Sequence, residues 1–160
     1  MKVLAFDPGY DRLGVAVLEN TQDGKETLLY SNCIETPKDT DLSKRILLLG
    51  QAIEKLLAEH QPNTVAIETI FFNKNIKTAI GVAQARGVIL YLAEKANCTI
   101  YEFGPQEIKV AVTGYGKSDK PAVYAMIQRL ITNVPTKSLD DEYDAIAVGI
   151  TCLAQYGRTR

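Results

Sequence analysis

The 160-residue chain lacks tryptophan and contains only one histidine and three cysteines. The cysteines are odd in number and show no paired spacing, which argues against a disulfide framework and against a zinc site. They are Cys33, Cys98 and Cys152, and we expect them to be small buried side chains in a reducing cytoplasm. His60 falls at a predicted helix end, two residues before Pro62, which is a poor place for a catalytic triad.

Long apolar runs and a large net charge are absent as well. No segment approaches the ~20 apolar residues of a membrane span, and the acid at position 7 comes too early for a signal peptide. We therefore expect a cytoplasmic protein that makes no membrane contact. The net charge is −1, so any contact with nucleic acid must come from a local basic patch.

The sequence does contain five apolar or alternating stretches that predict strands, and five segments with helical spacing. The strands are expected at 1–6, 13–18, 26–35, 64–68 and 99–103. The first helix is expected to begin at a cap formed by Asp41 or Ser43 and to end at Pro62. The other helices are expected at 78–97, 105–112, 121–131 and 139–156. Gly81 and Gly87 are possible breaks in the second helix.

The order of these elements predicts an α/β fold. Three strands joined by short turns should pair antiparallel, and strands joined through helices should be parallel. Right-handed crossovers place the fourth strand beside the first. We predict a five-stranded mixed sheet of order 3-2-1-4-5 with helices on both faces, a single domain over residues 1–157 and a basic tail over 158–160.

Four acidic side chains stand at unusual places in this pattern. Asp7 and Glu68 end two apolar strands that should be parallel neighbours, so their carboxylates should lie side by side at one end of the sheet. Asp141 and Asp144 are three residues apart on one face of the last helix, and that face continues into apolar Val148. A carboxylate at such a place is costly unless it is paired or bound to a cation.

Four converging carboxylates would repel one another strongly without a divalent metal ion. An all-oxygen ligand set suits Mg²⁺ or Mn²⁺ and not zinc, and two such ions roughly 4 Å apart promote in-line attack on a phosphodiester. Each feature also has a purely structural explanation, because Asp-Pro-Gly is a turn signature and acids favour the start of a helix. The combination with the strand order favours a metal–carboxylate site.

Basic residues concentrate in residues 71–125, which hold seven Lys or Arg and four acids. Cations on flanking phosphates, with carboxylates only at the metal, are the distribution that a nuclease needs, although ordinary solvated lysines would give the same excess. An exposed aromatic next to lysines suits stacking on unpaired bases. The candidate DNA-contacting residues are Phe71, Lys74, Lys77, Arg86, Lys109, Lys117 and Lys120.

Several motifs, distributed over nearly the whole chain, are shared with a known family. They are Phe6-Asp7-Pro8-Gly9, Ala66-Ile67-Glu68, Phe71 with Lys74-Asn75, Gln84-Ala85-Arg86-Gly87-Val88, Gly114-Tyr115-Gly116 with Lys120, and Asp141-Glu142-Tyr143-Asp144-Ala145-Ile146-Ala147. On these motifs the chain resembles the RuvC-type Holliday junction resolvases, endonucleases of the ribonuclease H-like fold. The Gln-Ala-Arg-Gly-Val stretch and the final Asp-x-x-Asp-Ala are the most specific of them.

The resemblance implies a homodimeric, Mg²⁺-dependent endonuclease that resolves four-way DNA junctions by paired nicks in recombination and repair. Each subunit would hold two Mg²⁺ ions, for which Mn²⁺ can substitute, on a catalytic tetrad formed by Asp7, Glu68, Asp141 and Asp144. Lys109 and Lys120 would serve the DNA backbone or the reaction, with Lys120 stabilising the charge of the reacting phosphate. Phe71 would act against bases at the junction. A junction-migrating helicase complex is an expected partner of a bacterial chromosomal enzyme.

The chain departs from the family pattern by carrying extra acids. Asp11 follows the first motif directly and changes the charge beside it. Asp140 and Glu142 flank Asp141, so the choice of Asp141 as a metal ligand depends on the alignment of Ala145-Ile146-Ala147.

The predicted helix over 78–97 is apolar on more than one face, with Ile80, Ile89 and Tyr91 among its residues. Part of it should be covered by something beyond its own sheet. A symmetric dimer seam is one explanation, and full burial within one subunit is the other.

Three other functions compete with junction cleavage. A ribonuclease H-like nuclease of the YqgF type, acting on RNA, shares the early Asp-x-Gly pattern but is not expected to carry the motif at 84–88. A non-catalytic junction-binding module would bind in EDTA and never nick. A sugar kinase or actin-like ATPase shares the Asp-x-Gly start but needs two such domains, for which this chain is too short.

Overall fold

The computed structural model describes residues 1–21, 26–70 and 76–157, without the side chains of residues 76 and 77. The elements within these ranges follow one another in the predicted order. They are β1 (Lys2–Asp7), β2 (Arg12–Asn20), β3 (Glu26–Glu35), α1 (Leu42–His60), β4 (Thr64–Glu68), α2 (Ile76–Lys95), β5 (Thr99–Phe103), α3 (Pro105–Thr113), α4 (Lys120–Leu130) and α5 (Asp140–Tyr156).

The strands form one mixed sheet with β1 at its centre. β2 pairs antiparallel with β1 and β3, whereas β4 pairs parallel with β1 and β5. The resulting order β3-β2-β1-β4-β5 confirms the prediction. The register sets Asp7 opposite Gly14 of β2, and Phe6 opposite Ile67 of β4. The carboxyl ends of β1 and β4 therefore meet at one end of the sheet.

Helices cover both faces of the sheet, because successive strand residues point to opposite sides. Phe6 packs in the core beneath α1 and α2 on one face, and Val3 packs in the core beneath α3, α4 and α5 on the other. Most of α5 is buried against β1 and β2. Its Gly149 makes this close approach possible, since a Cβ there would lie 2.2 Å from the Cδ1 of Leu18.

The second helix differs from its prediction. α2 runs without a break from Ile76 to Lys95, so Lys77 belongs to the helix and not to the preceding loop. Its two glycines do not break it, because one helical glycine costs only ~1 kcal/mol relative to alanine. A Cβ added at Gly81 would lie 2.6 Å from the ring of Tyr10. A Cβ added at Gly87 would have no described atom within 4 Å. The starts of α4 and α5 differ from prediction by one residue.

The cysteines and the histidine occupy structural positions. Cys98 and Cys152 are buried as predicted, but Cys33 is only half-buried because β3 is an edge strand, and all three thiols are free. His60 is the last residue of α1, as predicted. Within the described residues, none of the helices combines the length and the apolar character that crossing a bilayer requires.

Candidate functional site

Asp7 and Glu68 lie at the ends of the parallel neighbours β1 and β4, as the strand order predicts. Burial raises the pKa of Asp7 well above its ordinary value, and repulsion by Glu68 and by the acids of α5 raises it further. Burial, followed by repulsion from Asp144, raises the pKa of Glu68 to about 7, against the attraction of Lys120. Carboxylates that are so unfavourable when ionised would be stabilised by a bound cation.

The acids of α5 reach the same end of the sheet because β2 carries no side chain where the helix meets it. A Cβ at Gly14 would lie 1.9 Å from the carbonyl oxygen of Asp141 and 3.2 Å from the Cβ of Asp7. Only glycine permits this approach of the first turn of α5 to β1 and β2. The acidic face of α5 continues into the core as predicted, since Val148 is fully buried.

Each of the two predicted α5 acids is paired with a basic side chain. Arg12 Nε lies 3.2 Å from Asp141 Oδ2, and Lys120 Nζ lies 3.0 Å from Asp144 Oδ2. Burial lowers the pKa of Lys120, but the hydrogen bond and the attraction of Asp144 outweigh it and hold the pKa above its ordinary value. Burial raises the pKa of Asp144 in spite of this pair. No pattern in the sequence predicts the pairing of Arg12 with Asp141.

The donor chemistry of the four carboxylates fits a divalent cation. Asp141 Oδ2 is buried and accepts no hydrogen bond from the described residues, although Arg12 lies at ion-pairing distance. No described residue forms an ion pair with Asp7 or Glu68. Among the described residues, no three His, Cys, Asp or Glu side chains form a ready-made metal cage. The carboxylate oxygens at this end of the sheet, among them the Oδ2 of Asp141 without a hydrogen bond from the described residues, are of the kind that Mg²⁺ or Mn²⁺ prefers.

The two additional acids beside Asp141 have other surroundings. Asp140 is 65% exposed and lies 3.5 Å from Lys120 Nζ. Glu142 is buried and accepts a hydrogen bond of 2.5 Å from the hydroxyl of Ser31. Asp141, in contrast, is close enough to Asp7, at the end of β1, to raise the pKa of Asp7.

Two of the predicted lysines border the carboxylates. The residues lining a small cavity of about 210 Å³ include Glu68, Lys109, Lys120 and Asp144. The side chain of Asp119 caps α4 by accepting a hydrogen bond from Ala122 N at 3.0 Å, which fixes the helix start and Lys120 with it. Both lysines therefore border the space beside Glu68 and Asp144, and the start of α4 fixes the position of Lys120.

The other predicted DNA contacts are distributed differently. Lys117 is exposed in the loop between α3 and α4. Arg86 of α2 is held by Glu102 of β5, with 2.6 Å between Nη2 and Oε1, so a phosphate would have to compete with that carboxylate. Outside the described residues lie Phe71, Lys74 and the side chain of Lys77.

Sequence reasoning missed the group that supports the turn between β1 and β2. Arg45 of α1 is buried, its guanidinium pairs with Asp11, and its Nε donates a hydrogen bond of 2.8 Å to Thr36 Oγ1. The guanidinium carbon also lies 4.9 Å from the centroid of the Tyr10 ring. The extra acid after the first motif is thus neutralised within the chain. No signal in the sequence marks Arg45, because charged residues of a helix are normally exposed.

Comparison with known proteins identifies the family. The sequence profile of crossover junction endodeoxyribonuclease RuvC matches residues 3–152. The chain belongs to the RuvC family. A RuvC of Thermosipho melanesiensis is 41% identical over 154 residues, which cover 96% of this chain and 97% of that protein. A RuvC of Mycobacterium ulcerans is 39% identical over 150 residues, which cover 94% of this chain and 82% of that protein.

Solved structures agree with the fold of this RuvC-family chain. A T. thermophilus RuvC in complex with a Holliday junction substrate matches with a TM-score of 0.90 and 26% identity, covering 97% of this chain and 94% of that one. The yeast mitochondrial Holliday junction resolvase Ydc2 has a TM-score of 0.68 at 14% identity, over 95% of this chain and 76% of that one, and supports the fold alone. The predicted ribonuclease H-like fold and the family resemblance are confirmed.

Proposed function

We propose that this chain is a crossover junction endodeoxyribonuclease that resolves four-way DNA junctions in recombination and repair. The observation that carries the proposal is the meeting of acids from β1, β4 and α5 at one end of the sheet in a RuvC-family chain. A structural relative of this chain is a RuvC in complex with a Holliday junction substrate. We also propose that the enzyme acts on such junctions in the bacterial cytoplasm, with a junction-migrating helicase complex as a further partner.

The four carboxylates would hold two Mg²⁺ ions, for which Mn²⁺ can substitute. The family is one of metal-dependent nucleases. Bound divalent ions supply an activated water and stabilise charge during phosphodiester hydrolysis. Asp7 and Glu68 contribute the buried carboxyls whose ionisation a cation would favour. The buried Oδ2 of Asp141, which accepts no hydrogen bond from the described residues, and the neighbouring Asp144 complete the set.

Basic side chains would hold the DNA backbone around these carboxylates. The raised pKa of Lys120 keeps its ammonium group charged, so that it can stabilise negative charge on the reacting phosphate. Lys109 borders the same small cavity and can reach the same phosphate. For the flanking nucleotides we propose contacts from Phe71, Lys74, Lys77, Arg86 and Lys117.

The tetrad can be tested by substitutions that preserve side-chain shape and remove charge. Asp7→Asn and Glu68→Gln should each lower Mg²⁺-dependent cleavage of a fixed four-way junction at least ~100-fold, because each removes a carboxylate that holds the ions. Glu59→Gln makes the same charge change at an exposed site at the end of α1 and should leave cleavage unchanged. Cleavage within about threefold of wild type for either tetrad variant would refute the assignment.

The competing functions give different outcomes in the same assay. A four-way DNA junction, a linear DNA duplex and a structured RNA are offered in parallel with Mg²⁺. The proposed function predicts paired incision of the junction alone, read from a denaturing gel. Preferential cleavage of the RNA would establish an RNA nuclease, and junction binding in EDTA without incision in Mg²⁺ or Mn²⁺ would establish a binding module.

A homodimer is supported by one exposed face of α2. Ile80 and Tyr91 are three helical turns apart and are 62% and 66% exposed, which excludes full burial of α2 within one subunit. Gly87, between them, faces open space among the described atoms. An exposed apolar face of this kind marks an interaction site, and pairing with a second copy about a two-fold axis is the commonest arrangement.

This seam can be tested at Gly87. Gly87→Arg adds a long charged side chain to the face and should convert the dimer to a monomer, measured by analytical ultracentrifugation. Gln128→Arg, on the exposed surface of α4, is the matched control and should leave the mass unchanged. A dimeric Gly87→Arg protein would show that the seam lies elsewhere.

A further inference from the structure

Arg12, the first residue of β2, lies beside Asp141 but has no part in the proposed chemistry. Its Nε is 3.2 Å from Asp141 Oδ2, and the side chains are 47% and 21% exposed respectively. The carboxylate oxygen nevertheless accepts no hydrogen bond from the described residues. The pair is therefore held by charge without the directional hydrogen bonds that make Arg–carboxylate pairs strong.

The two partners of this pair are anchored very differently. The backbone of Asp141 is pressed against β2, where a Cβ at Gly14 would lie 1.9 Å from its carbonyl oxygen. The adjacent Glu142 is tied to β3 by the hydroxyl of Ser31. The side chain of Arg12, by contrast, is nearly half exposed. Arg12 can leave the pair, whereas Asp141 stays in place.

A cavity of about 740 Å³ next to the pair offers Arg12 another partner. Its lining includes Asp11, Arg12, Glu35, Thr36, Lys38 and Asp141. The charge of Asp11 is neutralised by the buried Arg45, which leaves Arg12 and Lys38 as the cationic side chains of the lining, beside the carboxylates of Glu35 and Asp141. Arg12 is the more exposed partner, at 47% against 21% for Asp141, so it is the more accessible of the two to a phosphodiester in this cavity.

We propose that Arg12 is a displaceable counter-ion for Asp141, an inference that rests on the proposed function. In the DNA-free protein it neutralises Asp141 and weakens the binding of a divalent cation there. A phosphodiester entering the cavity takes over the guanidinium, which frees the Asp141 oxygens for the cation. DNA and metal ion thereby strengthen each other's binding, because such coupling is reciprocal. Arg12 is a positioning residue, since it acts through Asp141.

The first test measures Mn²⁺ binding to the DNA-free full chain by calorimetry and electron paramagnetic resonance. Arg12→Gln should bind Mn²⁺ about five- to tenfold more tightly at the site that includes Asp141, because a competing positive charge is removed from a partly exposed carboxylate. Arg12→Lys, which keeps the charge, should stay closer to wild type than to the Gln variant. Arg129→Gln, an equal charge change on the exposed end of α4, is the control and should match wild type.

Two further measurements separate a counter-ion from a general charge effect. In an Asp141→Asn background, Arg12→Gln should give no gain in Mn²⁺ affinity, since the residue acts through that carboxylate. For junction binding in EDTA, Arg12→Gln should make the dependence of log affinity on log salt shallower by about one, because one phosphate contact is lost.

The possible results separate failure of the counter-ion role of Arg12 from failure of the proposed nuclease function. Equal Mn²⁺ affinity for wild type and Arg12→Gln, or an undiminished gain in the Asp141→Asn background, overturns the counter-ion role and leaves the nuclease assignment standing. An unchanged salt dependence overturns the transfer of Arg12 to a phosphate. Absence of Mn²⁺ binding in both proteins overturns the proposed function and the inference together.

Discussion

The two halves of the carboxylate site are built in opposite ways. Asp7 and Glu68 lie at strand ends, where burial raises both pKa values, and no described residue forms an ion pair with either. Asp141 and Asp144 lie near the start of α5, and each is paired with a basic side chain. Asp7 and Glu68, the strand half, carry unfavourable charge that a cation can relieve, whereas the charges of Asp141 and Asp144, the helix half, are compensated in part within the chain.

This difference follows from where the two kinds of element end. β1 and β4 are interior strands of the sheet, so an acid at their ends is buried by its neighbours and desolvated. The start of α5 holds three acids in its first turn, where the helix dipole favours negative charge and the partial exposure leaves room for long basic side chains. Burial therefore makes the ionised carboxylates at the strand ends unfavourable without a cation. Partial exposure at the start of α5 allows basic side chains of the chain itself to pair with the carboxylates there.

The largest effect should come from separating the two halves. Gly14→Ala would place a methyl group 1.9 Å from the carbonyl oxygen of Asp141, so α5 would have to move away from β1. We expect a loss of about 2–3 kcal/mol in the free energy of unfolding, measured by chemical denaturation, together with the loss of junction cleavage.

Gly50→Ala of α1 is the matched control for this prediction. Its Cβ would lie 3.4 Å from Val88, an ordinary contact, and helix propensity predicts a gain of about 0.5–1 kcal/mol. If Gly14→Ala were as stable and as active as wild type, the close contact at β2 would not be what joins the two halves.

A smaller effect on stability is expected at Glu68, and its dependence on pH should distinguish the carboxyls at the strand ends from those of α5. The pKa of Glu68 is about 7 in the folded chain, above the ordinary 4.5, so the folded chain binds this proton more tightly than the unfolded chain does. Stability therefore falls as the pH rises through that interval. In EDTA at pH 8, Glu68→Gln should raise the free energy of unfolding by about 1–2 kcal/mol, and most of this gain should be lost at pH 5.

Asp141→Asn provides the comparison from the helix half. Because Arg12 already offsets the charge of Asp141, this variant should show no such gain in thermal melts at either pH. A gain equal to that of Glu68→Gln would abolish the contrast between the two halves.

The smallest effect should come from removing a cation from the helix half. Lys120→Gln leaves Asp144 without its partner, and because the lysine is partly exposed the free energy of unfolding should fall by only about 0.5–1 kcal/mol. Most of this difference should disappear in roughly 1 M NaCl, where charges are screened within about 3 Å.

The pair between Lys55 and Glu59 supplies the control for Lys120. Its lysine is 73% exposed, and Lys55→Gln should change stability by less than about 0.5 kcal/mol. A loss above about 2 kcal/mol for Lys120→Gln would mean that the lysine supports the fold and not only the charge balance of the site.

Most of the architecture could be predicted because its signals are local. Alternating residues and turn sequences predicted β1, β2 and β3, and the handedness of crossovers then placed β4 beside β1. Asp7 and Glu68 could be predicted as neighbours because each ends an apolar strand. The spacing of Asp141 and Asp144 predicted a shared helix face in the same way.

Other features of the site had no local signal. The pairing of Arg12 with Asp141 joins β2 to the last helix, and the burial of Arg45 against Asp11 joins α1 to the turn after β1. The close approach of Gly81 to the ring of Tyr10 joins α2 to the turn after β1. Each of these contacts depends on where a distant element lies, which no window of sequence reports.

By itself, the amino-acid sequence determined which segments become strands and helices and which acids fall at their ends, because periodicity and turn residues act over a few neighbours. Only the tertiary structure decided which of those acids receive a cation from the chain and which are buried without one. The reason is that ion pairing and desolvation depend on separations of a few ångströms between residues far apart in sequence.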